Sequence, residues 1–222
     1  MRTVRIAAGI CGVVGVITLI AGFSINPGPP GDASVAQAIA FFMQHRNAVL
    51  LGGWMQEIGA FLCIAFLVAL TVLAGWATRI AGLLTLLGGS ILILVSVIEV
   101  TFYLVTVQGS ARGDATEVAL GLELTKAIQH GYSMLAAPAV FFPIGAVILG
   151  SRVIPRGYGY LAFVLGAIFA VLGGVVLFND SLQTLVNILS GIQAFWFLAA
   201  AIVVLATSGQ SAPSQGAVAF SA

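Results

Sequence analysis

Six long apolar runs limit what this chain can fold into. They lie at roughly 5–23, 48–76, 80–107, 131–151, 158–178 and 182–206. A helix needs about 20 mostly apolar residues to cross about 30 Å of hydrocarbon, and each run meets that length or comes close to it. The second and third are longer and predict helices that tilt or reach past the bilayer. Charge is correspondingly scarce: of 222 residues, eight are Lys or Arg and seven are Asp or Glu. That is 7% charged, against about 25% in a soluble domain. So few charges cannot coat a globule of this size, which argues against a soluble enzyme and against a disordered chain. Lipid cannot satisfy an open backbone, so the runs must form helices or a closed barrel. Barrel strands alternate polar and apolar residues, and these runs do not. The expectation is an all-α polytopic bundle of six transmembrane helices over 1–206, followed by a loose cytoplasmic tail at 207–222 rich in Ser, Ala, Gly and Gln.

The first run is expected to stay as a helix. Its apolar stretch exceeds the about 7–15 residues of a signal-peptide core, and no A-x-A site follows it. Orientation follows from the basic residues. Arg2, Arg5, Arg79, Arg152 and Arg156 fall on one set of alternating segments, without acids. Arg46, Arg112 and Lys126 fall on the other, with Asp32, Asp114, Glu117, Glu123 and Asp180. The positive-inside rule then predicts both termini inside, with the long segments 24–47 and 108–130 as outer loops.

Local signals subdivide those loops. Asn26-Pro27-Gly28-Pro29-Pro30-Gly31 breaks any helix. Ser34–Arg46 can form a short helix leading into the second span. Asp114-Ala115-Thr116-Glu117 has capping-box spacing, opening a helix that lies on the membrane or runs into the fourth span, with Glu123 and Lys126 exposed. Pro155 suits a first helical turn after Ser151. Pro138 and Pro143 each remove a helical hydrogen bond, predicting a kink. Ala162, Gly166, Ala170 and Gly174 recur every four residues on the fifth span and predict a close helix seam, within the bundle or between two copies.

Only Glu57 and Glu99 carry formal charge inside the runs. Intramembrane carboxyls face a partner or a cavity because lipid penalises them by several kcal/mol, about. Each lies about nine residues, or about 14 Å, from the outer end of its run, so both reach a similar level. Ser96, Glu99, Tyr103 and Thr106 share one face of the third helix. Asp180, Gln183, Asn187 and Ser190 share one face of the sixth, His130 and Ser133 open the fourth, and Gln56 sits beside Glu57. All of these fall in the outer half. The expectation is an outward-facing polar pocket lined by Glu57, Glu99, Tyr103, His130, Gln183 and Asn187, for a small solute or a proton. The alternatives are polar side chains that only tie helices together, or carboxyls that relay protons.

Catalytic and cofactor signals are lacking. There is no H-E-x-x-H, Gly131-Tyr132-Ser133-Met134-Leu135 misses the second glycine of a nucleophile elbow, and the chain has no Walker sequence. His45 and His130 could in principle hold a metal or haem from two helices, but no motif supports it. Cys11 and Cys63 sit in apolar runs and read as packing residues. No inverted repeat is evident. The expectation is therefore no enzyme, no cofactor, no metal and no nucleic acid. The partners expected are the lipid bilayer and a second copy or another membrane subunit.

His130-Gly131-Tyr132, Phe141-Phe142, Gly145, Leu149-Gly150-Ser151 and Arg152-Val153-Ile154-Pro155-Arg156 run in order before Gly157 and Gly159. Over 130–178 this resembles a family of uncharacterised bacterial six-helix membrane proteins that carry a domain of unknown function. Many members have Trp after Pro-Arg, where this chain has Gly157. The resemblance implies a six-helix fold in a bacterial cytoplasmic (inner) membrane. It implies no activity and no site residue.

Overall fold

A computed structural model describes residues 2–26, 28–30 and 33–209. Asp32, Pro27 and Gly31 of the breaker cluster and the expected loose tail from 210 on lie outside the described residues. The elements are α1 (Arg2–Ile25), α2 (Val35–Leu73), α3 (Ile80–Arg112), α4 (Ala115–Gly131), a π-helical turn (Tyr132–Ala136), α5 (Ala137–Gly150), α6 (Arg156–Val176) and α7 (Gln183–Ala206). Among the described residues there is no strand. α4, the π-turn and α5 form one rod, so among the described residues there are six helices long and apolar enough to cross a membrane.

The helices close into a ring. α1 packs between α2 and α7, α2 on α3, α3 on the α4–α5 rod, α5 on α6, and α6 on α7. Aromatic side chains fill the centre. Phe66 meets Phe197 at 6.4 Å, and Phe141 meets Phe197, Phe169 and Trp196 at 6.0, 6.3 and 5.3 Å between centroids. Phe66, Phe141 and Phe169 are completely buried, so the ring is plugged rather than hollow.

The segments 35–47 and 115–130, placed outside the spans with a helix expected in each, are helical and continuous with the spans that follow. α2 begins at Val35, not near 48, because Ser34 and Gln37 close a reciprocal capping box: Gln37 N–H donates to Ser34 Oγ at 3.3 Å and Ser34 N–H to Gln37 Oε1 at 2.8 Å. α3 runs to Arg112 and stops at Gly113, whose φ of 70° suits glycine. Asp114 then caps α4 by accepting from the N–H groups of Thr116 and Glu117, both at 3.0 Å. Glu117 does not complete that box; it pairs with Arg112.

This makes three helices longer than a bilayer. At about 1.5 Å per residue, α2, α3 and the rod span about 58, 50 and 54 Å, whereas α1, α6 and α7 span about 36, 32 and 36 Å. The surplus projects from one side only. Arg5 donates to Thr207 Oγ1 at 3.0 Å, which sets the start of α1 beside the end of α7. On that same side the connections after α2 and α5 are tight, with the Arg79 guanidinium 4.8 Å from the Trp76 ring. On the opposite side the projecting parts of α2, α3 and α4 bury a core of their own, made of Ala38, Phe42, Val49, Val107 and Val118. We call this three-helix projection the cap. α2 bends where the cap joins the ring: His45 has φ −107° and ψ 16°, outside the helical region.

The expected kink of the fourth span is a π-turn. Pro138 has no N–H, and just upstream the register widens so that Ala137 N–H reaches the Tyr132 carbonyl five residues back. The Ser133 hydroxyl donates to the His130 carbonyl at 3.1 Å, covering backbone that the irregular turn loosens.

The residues of the expected seam on α6 do not all face the bundle. Ala162 and Gly166 are buried, but a Cβ at Gly174 would meet nothing within 4 Å. Four residues turn a helix about 40° too far, so three such steps drift about 120° off the face. Gly173 takes the place of Gly174: a Cβ there would lie 2.6 Å from Met134 N and 2.7 Å from Ser133 C. Gly173→Ala is therefore expected to lower stability by about 1–3 kcal/mol. Gly174→Ala should leave it unchanged or slightly raised. Thermal unfolding of the two purified variants in detergent checks the contrast.

Candidate functional site: a polar layer between two cores

The ring core and the cap core are separate clusters, and polar side chains occupy the level between them. On α2 these are Gln56 and Glu57; on α3, Ser96 and Glu99. Gln129 and His130 end α4, Tyr132 and Ser133 start the π-turn, and Gln193 comes from α7. Ser96 Oγ donates to Glu57 Oε1 at 2.9 Å, joining α2 to α3. Gln129 Nε2 donates to Glu99 Oε1 at 2.9 Å, joining α3 to the rod. Tyr132 Oη donates to Gln193 Oε1 at 2.6 Å, joining the rod to α7. Ser96, which holds Glu57, stands three residues before Glu99 on α3, and Tyr103 follows Glu99 by four, so these groups share one face of that helix.

Depth follows from helix rise. Trp54 and Trp76 are 22 residues apart on the α2 side of the ring, about 33 Å, which matches indoles anchored at the two edges of about 30 Å of hydrocarbon. Glu57 is then about one turn inside the cap-side edge. Glu99, 19 residues after the start of α3, is about 28 Å from the other edge, at the same level.

Among the described residues, the ion pairs are Arg112–Glu117 and Lys126–Glu123, both in the cap. Glu57 and Glu99 have only neutral hydrogen-bond donors as partners. Gln56 Nε2 and His130 Nδ1 are buried in the same layer without a hydrogen-bond partner.

The structure brings together part of the expected pocket. Glu57, Glu99 and His130 belong to the layer, and Tyr103 stands above it against the cap core. Gln183 and Asn187 bond to each other at 3.3 Å on α7, and Asn187 is exposed. α7 has α1 and α6 as its ring neighbours, so this pair sits apart from the carboxyls. Gln129 and Gln193 escaped the sequence reading. Gln193 continues the Asn187–Ser190 stripe by three residues, a signal that was present; Gln129 had only its place beside His130.

The open space in this region is lateral. A groove of about 310 Å³ runs between α2 and α3, lined by Trp54, Glu57, Phe61, Ile93 and Val97. Trp54 and Phe61 are 62% and 61% exposed, so the groove faces outward from the ring rather than into it. A second groove of about 240 Å³, between α3 and the rod, is walled by apolar residues and glycine around Gly88, Pro138 and Pro143. Among the described residues, no three His, Cys, Asp or Glu side chains gather in a way that could hold a metal.

This architecture is that of a multi-pass membrane protein. Compared with protein-family models, curated proteins and solved structures, the chain finds no match.

Proposed function

We propose that this is a multi-pass protein of a bacterial cytoplasmic membrane, with both termini inside, that binds a proton or a small cationic solute at the Glu57–Glu99 layer. One observation carries the reading: two carboxyls share a level just inside the hydrocarbon edge, Glu57 held by Ser96 three residues before Glu99 on α3, with no basic partner among the described residues. A charge at such a place is costly unless a proton or cation cancels it. The unpartnered His130 Nδ1 adds unused hydrogen-bonding capacity at this level, whereas Gln56 packs against Gly22 of α1. Arg2, Arg5, Arg79, Arg152 and Arg156 all fall on the side opposite the cap, which supports an outward cap. The aromatic plug closes the ring on the inner side of the layer, so the arrangement supports binding from outside more than passage through this conformation.

A second reading also has support. The three hydrogen bonds of the layer link four helices in series, as they would in a non-catalytic structural or regulatory subunit. Thermal unfolding measured across pH, and across a series of inorganic cations and small amines, separates the two. A ligand at 100 times its Kd stabilises by about 2.7 kcal/mol. On the binding reading, the wild type shows a cation- or pH-dependent melting temperature, and Glu57→Gln with Glu99→Gln flattens it while the fold persists. A response identical in wild type and variant, with only a uniform drop in melting temperature, supports the structural subunit instead.

A further inference from the structure

We propose that the α2–α3 groove takes an amphiphilic organic cation that enters sideways from the bilayer and sets its charge on Glu57. This rests on reading Glu57 as part of a cation site and names the class of ligand.

The groove unites three features. Its one ionisable lining residue is Glu57, with one oxygen held by Ser96 at 2.9 Å. That bond points the carboxyl across the α2–α3 seam and leaves its other oxygen free of hydrogen-bond partners. Flanking it one turn to either side on α2 are Trp54 and Phe61, both strongly exposed. A ring face of this kind attracts a cation within about 6 Å. Ile93 and Val97 supply an apolar floor from α3. A carboxylate, two aromatic faces and an aliphatic floor select a molecule that is both positively charged and apolar. The volume of about 310 Å³ lies at the small end of ligand sites, about 300–1,000 Å³.

Position argues for a lateral route. The mouth is bounded by side chains that face outward from the ring, whereas the ring centre behind is packed with aromatic residues. Zwitterionic phospholipid fits poorly. Its phosphate lies on the tail side of its ammonium group, so an ammonium at Glu57 would drag the phosphate deeper into hydrocarbon. No basic residue lines the groove to receive it. A free cation with an apolar body has no such conflict.

Equilibrium binding of radiolabelled tetraphenylphosphonium to the purified full chain in neutral detergent tests this. The expected result is saturable binding of one cation per chain. Glu57→Gln, which keeps the shape and a partner for Ser96, should weaken it by at least about tenfold, and Trp54→Leu by about threefold or more. Glu123→Gln, an exposed carboxyl of the cap outside the groove, should leave it intact. Absence of saturable binding by the wild type, or equal binding by Glu57→Gln, overturns the inference. So does equal loss in Glu123→Gln, which would mean that the cation is not held by the groove. If tetraphenylphosphonium fails to bind while the melting temperature still follows small cations through the Glu57–Glu99 pair, the groove assignment falls and the layer's function stands. If both responses are flat, both fall.

Discussion

The largest loss of stability is expected from Gly59→Leu. A Cβ on Gly59 would lie 2.7 Å from Leu19 N and 2.8 Å from Gly15 O. Both are backbone atoms of α1, so no side chain can swing aside. The same intimacy recurs one and two turns away: a Cβ on Gly52 would sit 2.7 Å from Gly22 O, and one on Gly15 2.9 Å from Cys63 N. α1 and α2 therefore touch backbone to backbone along a ladder of glycines. Such approach gains dispersion contacts and weak Cα–H···O bonds in place of a hydrophobic drive that lipid does not supply. Leucine would force the helices apart along the whole ladder. Overpacking costs about 1–3 kcal/mol where neighbours can yield; here the expected loss is at the top of that range or beyond. Gly59→Ala should already lower the melting temperature measurably. Thermal unfolding in detergent, with expression level as a second readout, checks the series. Equal stability of Gly59→Leu and wild type would mean that α1 is not seated on α2 as described.

Gly88→Val is expected to be nearly as damaging, for a different reason. Pro143 has no N–H, so the Ala139 carbonyl four residues earlier loses its helical donor. In hydrocarbon an unpaired carbonyl is costly. Gly88 of α3 closes directly over that carbonyl: a Cβ there would overlap Ala139 O and come within 2.5 Å of Ala139 C. With only hydrogens on its Cα, Gly88 can offer the oxygen a C–H contact worth about 0.5–1 kcal/mol. Valine would both push α3 off the rod and uncover the carbonyl, for an expected cost of about 3 kcal/mol or more. Pro143→Ala restores a donor to Ala139 O and should soften the effect of uncovering. The double variant Gly88→Ala/Pro143→Ala is therefore expected to be more stable than the sum of its single changes. A strictly additive pair would break the link between the proline and the glycine.

Much of this was legible from residues alone. Six runs without alternating polarity sufficed for six helices, and Asp114 and Gly113 carried their own start and stop signals. The pairing of Glu57 and Glu99 at one level followed from counting residues down two helices joined by a short turn. A helix was legible in each outer segment, but not that the two would pack together into a cap. Residues 35–47 contain Gln37, Gln44, His45, Arg46 and Asn47, and 113–130 carry three of the chain's seven acids; polarity alone marks both only as lying outside the spans. They are helices because each is amphipathic enough to bury one face, such as Phe42 or Val118, against the other. The capping box at Ser34 and Gln37 was the available clue.

The sequence by itself determined the helical spans, because hydrocarbon admits only helices or closed barrels and these runs lack a barrel's alternation, and it determined that two carboxyls would share a depth, because helix rise is constant. Tertiary structure alone decided which way each side chain looks. Glu57 opens on a lateral groove while Glu99 turns toward Gln129, and Asn187 faces outward on α7. Rotation about a helix axis is set by which glycines meet across a seam, and those partners lie on other helices, far away in the chain.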